Sequence, residues 1–451
     1  MRSLLAVIGA AAILATACST QGTPAQSSSA SPGRASPSAV GASLPTPGTS
    51  PAPVTTAPTT WVVDMPAEAQ ASLGSSTVIR AVANANGRLV AVGPRECQSS
   101  GTDLTACSAH VLWSEDGVSW TTVVSGDLDV GTYVDTSGPD PGMVDVAGGP
   151  EGFVAIGYAG SERVAPAVWT SRDGEGWKRA TLGKVFDGAR VRAVVAGGPG
   201  WVTVGKVYTP DGPRGAAWTS PDGQAWTRAP DGPAFDVGGY LDTLEDPGSG
   251  GLLDVAAVGE VIVAVGTTCD ATGKGCRAAT WKSPDGGATW TRSSGLDGAR
   301  DFEFVVHGDH GFVAFGRACE GDAADSACQP VVATSSDGSA WASANSTVLP
   351  AAARFRAAVA IEGGIVAVAS VPSGVLVIVS RDGTTWQVLH EEHYVPTPPA
   401  TAPPDFDFAT IDGLAITTGP AGRALFLGHV YFPQFDDPPF SFVGLVGAPP
   451  S

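Results

Sequence analysis

Positive charge is scarce in this chain of 451 residues: 25 lysines and arginines stand against 44 aspartates and glutamates, a formal net charge of −19. That balance excludes the broad phosphate-neutralising patch that nucleic-acid binding requires. It gives solubility and affinity for cations, and says nothing about fold. The seven cysteines never take C-x-x-C spacing, so neither a zinc site nor a redox dithiol is indicated. H-E-x-x-H and the full calcium loop D-x-D-x-D-G are missing as well. The stretch "HEEHYVPTPPATAPPDFDF" (390–408) offers only H-x-x-H and D-x-D, and its prolines read as an extended strap. Neither a metal nor a cofactor is expected. The apolar run at residues 4–14 is too short to span a bilayer as a mature helix.

What is there begins with a targeting signal. In "MRSLLAVIGAAAILATACST", Arg2 supplies the positive start and small residues lead into Cys18. "ATAC" resembles a lipobox, the signal of bacterial lipoproteins, although Ala15 stands where that motif favours leucine. The resemblance implies that Cys18 is lipidated, becomes the mature N-terminus and anchors the protein outside the membrane; an ordinary secretory signal is the alternative. Residues 1–17 are then a signal peptide. Residues 18–58, almost wholly Ser, Pro, Ala, Thr and Gly, cannot bury enough apolar surface to fold and read as a flexible tether. The folded body is expected over 59–451, at the cell surface.

Six cysteines remain. Cys97 and Cys107, Cys269 and Cys276, and Cys319 and Cys328 sit close together between expected strands. Export favours disulfides, and the short loops favour three local bridges among about 15 connectivities.

An internal repeat organises the body. "GRLVAVG" (87–93) recurs as "GFVAIG" (152–157), "GWVTVG" (200–205), "VIVAVG" (261–266), "GFVAFG" (311–316), "GIVAVA" (364–369) and "RALFLG" (423–428). Each follows another apolar strand, and the first six precede a third that ends near an S-x-D-G motif. Four short strands repeated at this spacing predict an all-β fold, a β-propeller with seven four-stranded blades. The final unit lacks its fourth strand, while "TTWVVDM" (59–65) has no third strand before it. Pairing that segment with "FSFVGLV" (440–446) would close the last blade with both chain ends and remove an exposed sheet edge.

"SPDGGATW" (283–290) matches the Asp-box of sialidases and related propellers, and five shorter copies resemble it. The pairs are Ser114 and Asp116, Ser171 and Asp173, Ser220 and Asp222, Ser283 and Asp285, Ser335 and Asp337, and Ser380 and Asp382. Ser and Asp side chains at this spacing satisfy turn N–H groups, so these pairs read as architecture and not as catalysts. The resemblance to Asp-box propellers covers residues 61–451 and implies fold. It brings no catalytic residue: the R-I-P motif carrying the first arginine of the sialidase triad is missing.

Two long loops match one another, "DVGTYVDTSGPDPGMVDVA" (129–147) and "DVGGYLDTLEDPGSGGLLDVA" (236–256). They present Tyr133, Asp135, Tyr240 and Asp242, either to a ligand or as the residue of a duplicated blade pair. Arg80, Arg192 and Arg356 each lie thirteen residues before the end of the next second-strand motif, with Asp145 and Asp254 similarly placed. Grouped guanidinium forks suit a carboxylate ligand; a ring of Arg–Asp pairs between blades is the structural alternative. The expectation is a monomeric, non-enzymatic lipoprotein whose propeller face binds a protein or glycan partner. The alternative is a sialidase-like glycoside hydrolase or lyase.

Overall fold

The computed structural model describes residues 61–66, 73, 78–100, 103–132, 139–161, 163–239, 250–294, 296–319, 328–345, 348–351, 353–371, 374–393, 410–431 and 440–447. The signal, Cys18 and the tether lie outside them, as do Tyr133, Asp135, Tyr240 and Asp242. The fold is all-β.

Five sheets have four antiparallel strands each, and an eight-stranded sheet contains two more such units joined by one pairing, Pro94 with Gly142. One unit shows the plan: Ala189–Gly197, Gly200–Thr209, Gly212–Ser220 and the short Thr227–Arg228, each strand pairing with the next. The second strand is buried on both faces, which is why it reads as an unbroken apolar run. The N-terminal strand Val62–Asp64 pairs with Phe440–Gly447 in register Val63 to Val446, completing the sheet that holds Ala424–Tyr431 and Thr410–Thr418. First strands of successive units touch each other in chain order, and the last also touches the first.

Between successive units lie seven apolar clusters. Trp218 and Phe186 fill one, with rings 4.9 Å apart, and Trp281 and Phe235 fill the next. Another joins Leu89, Leu112 and Trp120 of the first unit to Leu425, Leu427 and Val443 of the last. Burying each such side chain is worth about 1.5–3 kcal/mol, and each cluster holds ten or more buried apolar residues. Packing between units therefore holds this fold together.

The S-x-D-G turns are built alike. In the third unit, Gly223 N–H donates to Ser220 Oγ at 2.8 Å. Gln224 and Ala225 N–H donate to Asp222 Oδ1 at 2.8 and 2.9 Å, and Trp226 Nε1 donates to Gly223 O at 2.9 Å. Gly223 sits at φ +73°, the left-handed region that glycine enters without strain. The remaining five turns repeat the glycine-to-serine bond.

Disulfides join Cys97 to Cys107, Cys269 to Cys276 and Cys319 to Cys328. Each spans the connection between second and third strands, at the end of its unit opposite the S-x-D-G turn.

Candidate functional site at the axial cavity

Five first strands carry a bulge at the same place: between Met143 and Asp145, Val191 and Ala193, Leu252 and Asp254, Phe302 and Phe304, and Phe355 and Ala357. The extra residue faces a glycine or alanine that ends the "VAVG" motif. At Gly205 a Cβ would collide with the carbonyl oxygen of Arg190, and Gly157, Gly266 and Gly316 are crowded in the same way. Glycine at these four positions thus leaves room for the close backbone approach beside the bulge, while the sixth unit carries its bulge opposite Ala369.

Bulges re-aim side chains. The extra residues are Val144, Arg192, Leu253, Glu303 and Arg356. Arg80, whose N–H donates to Val92 O just ahead of the strand Ala81–Ala85, occupies the corresponding place in the first unit. Arg80, Arg192 and Arg356 line one cavity of about 220 Å³ together with Asp145, Asp254 and Glu303. All seven first strands contribute to its wall. The three arginines are exposed to it, and they lie near the disulfide-bearing end of their strands. Sequence spacing therefore brought together residues that the fold also brings together.

The aspartates behave otherwise than an Arg–Asp ring would require. Asp145 follows the bulge residue, and its carboxylate accepts Val146 N–H at 2.8 Å and Val194 N–H of the neighbouring unit at 2.7 Å. Asp254 accepts Val305 N–H at 2.8 Å, again across a unit boundary. They clamp backbone to backbone, because the position after the bulge points sideways along the sheet edge. The guanidinium groups of Arg80 and Arg192 have no ion pair among the described residues. Arg356 Nε donates to Ser370 Oγ at 2.8 Å.

These acids are half-buried, keeping only a strip of surface toward the cavity. Burial pushes the Asp145 carboxyl up to about 8, against the Val194 N–H bond, and the charge of Asp254 adds to the rise. Burial likewise lifts Asp254 to about 6 and Glu303 to about 7, the latter opposed first by Arg317. Arg317 bridges Glu303 at 3.1 Å and Asp301 at 2.7 Å. Nearby, burial lowers the Lys206 ammonium to about 7, helped by the charges of Arg192 and Arg190. Glu303 escaped the sequence reading although it too lies thirteen residues before its motif glycine, Gly316. Lys206 leaves no such signal, since its burial comes from a neighbouring unit whose Gly251 it covers.

No family model matches the chain, and no curated protein matches it. Solved structures do resemble it. A protein of unknown function from Dyadobacter fermentans is 13% identical, with 83% of this chain and 96% of that one covered and a TM-score of 0.44. The sialidase of Trypanosoma rangeli is 13% identical with a TM-score of 0.39, covering 82% of this chain and 54% of its own. The β-propeller domain of the Trilobed protease from Pyrococcus furiosus is 8% identical, with coverages of 80% and 99% and a TM-score of 0.43. The structural neighbours of this all-β chain thus include β-propellers and a sialidase.

Proposed function

We propose that the body is a seven-bladed β-propeller closed by its two ends, built on Asp-box turns, and carried outside the membrane on lipidated Cys18. Its disulfide-braced face acts as a non-enzymatic binding surface for a protein or glycan partner. Seven four-stranded units, the pairing of Val62–Asp64 with Phe440–Gly447 and the contact between first and last units support the ring. The observation that carries the binding role is the convergence of Arg80, Arg192 and Arg356 on one cavity at the axis. Three forks beside carboxylates that are partly protonated near neutral pH suit an acidic group on the partner. Tyr133, Asp135, Tyr240 and Asp242 are proposed to widen this surface around the mouth.

Binding to an array of sialylated and uronate-containing glycans and acidic peptides tests the reading. Changing Arg192→Ala together with Arg356→Ala is expected to weaken the best ligand tenfold or more, about 1.4 kcal/mol, while the melting temperature holds. Unchanged affinity would remove the site. The same arginines also fit the sialidase-like alternative, which predicts turnover of a fluorogenic sialoside that these changes abolish. For the anchor, Cys18→Ala should shift the protein from the detergent phase to the aqueous phase or leave its signal uncleaved. Mature, detergent-partitioning protein from that variant contradicts lipidation.

A further inference from the structure

The repeat supplies an internal comparison at the outer rim of the disulfide-bearing end. Arg214 faces Val207, two residues past Gly205, and Arg277 faces Thr268, two residues past Gly266, so the two arginines hold equivalent places. In the third unit Arg214 pairs with Asp236, the residue after Phe235 in the following connection, and approaches Asp231 at 3.9 Å. That cation is neutralised.

In the fourth unit the equivalent pair stays open. Asp297, after Leu296 in the matching connection, makes no ion pair with Arg277 among the described residues. A cavity of about 490 Å³ lies between them, and Lys274 and Arg300 also line it. Its walls are tied at the base, where Ala278 N–H donates to Ala299 O at 3.0 Å and Thr267 Oγ1 donates to Arg300 O at 3.0 Å. Cys276 and Cys319, each in a disulfide, stand on its two sides. Among the described residues, the nearby Asp270 is engaged: it accepts Thr272 and Lys274 N–H at 2.8 and 3.0 Å, although its charge still acts on Lys274.

Among the described residues, three cations and one carboxylate thus line a braced cleft of ligand size, on a protein whose net charge is −19. We propose that this cleft binds an oxyanion, the carboxylate, sulfate or phosphate group of a small molecule or sugar, with Arg277 as the principal ligand. Arg277 is exposed and presents a planar fork that takes two oxygens of such a group at once. Lys274 supplies further charge from the adjoining wall, while Arg300, which also lines the cleft, is engaged in contacts of its own. The site lies apart from the axial cavity and shares no lining residue with it.

The test is calorimetric titration of the full-length protein at low salt with a galacturonate trisaccharide, a sulfated disaccharide and inorganic phosphate. These three probes separate the possible sources of the oxyanion. At least one should bind, weaken as sodium chloride is added, and weaken tenfold or more in Arg277→Gln. Arg214→Gln, which removes the paired equivalent, should change the dissociation constant less than twofold. Should Arg277→Gln fail to fold, judged by its melting temperature, Lys274→Ala carries the same comparison. No binding by any probe, or equal weakening in the Arg277 and Arg214 variants, overturns the proposal.

Discussion

The Asp222 carboxylate gathers two backbone N–H groups and the Ser220 hydroxyl into one turn. Those donors hold its pKa below the usual carboxylate value, Ala225 N–H contributing most and Gln224 N–H next. The folded form therefore favours the ionised acid, and the stability this adds is complete above about pH 4 and lost as pH falls further. Asp337 shows the same effect more strongly, at about 2, through Ser339 N–H and then Lys282. Asp222→Ala should cost about 1–2 kcal/mol, because the turn N–H groups then turn to water. Urea unfolding measures that loss, and binding at the axial cavity, at the other end of the sheets, should be untouched. A selective loss of binding with unaltered stability would assign function to the wrong face.

At the scale of the strand, the bulge is the device that matters. It spends one extra residue to aim Arg192 or Arg356 at the axis and turns the next position toward the neighbouring unit, where Asp145 holds Val194. The protonation sign here is opposite to that of the turn acids. Asp145, Asp254 and Glu303 have folded-state values raised to about 8, 6 and 7. Between the unfolded value near 4 and these, the folded protein holds protons that the unfolded chain has released. Stability from this source therefore declines as pH rises from about 4 to 8. Together with the turn acids, this places the greatest stability at mildly acidic pH. The melting temperature should be higher at pH 5 than at pH 8, and Asp145→Asn should flatten that slope. A melting temperature that rises steadily to pH 8 would contradict the sign.

For the whole molecule the decisive contacts are those between units, and the proposed ring closes through its ends. Trp61, Val63 and Met65 pack against a cluster that includes Phe426, Phe442 and Val446. A second cluster joins Val443 and Leu445 to Leu89 and Trp120 of the first unit. Stopping the chain after Tyr431 removes Phe440–Gly447 and with it the partner of Val62–Asp64. Both clusters lose residues at once, so the truncated protein should unfold at a much lower temperature as one transition, read by circular dichroism. Loss of a single local transition with the rest unmoved would mean that the units are stable without closure.

The residues that announced this architecture are those whose reason is local. A serine and aspartate two apart, a glycine at positive φ and an indole that donates to it are all set within one turn of Ser220–Trp226, and the alternation of apolar runs with such turns is enough to mark the units. The spacing of Arg80, Arg192 and Arg356 was legible for the same reason, since each is counted from its own motif. What the tertiary structure alone decided depends on neighbours distant in the chain. Asp145 takes Val194 rather than an arginine, Glu303 joins the arginines with Arg317 at its side, and Lys206 is buried by the next unit. Arg214 meets Asp236 while Arg277 does not meet Asp297. These outcomes turn on side-chain direction and on contacts across unit boundaries, which a one-dimensional pattern does not encode.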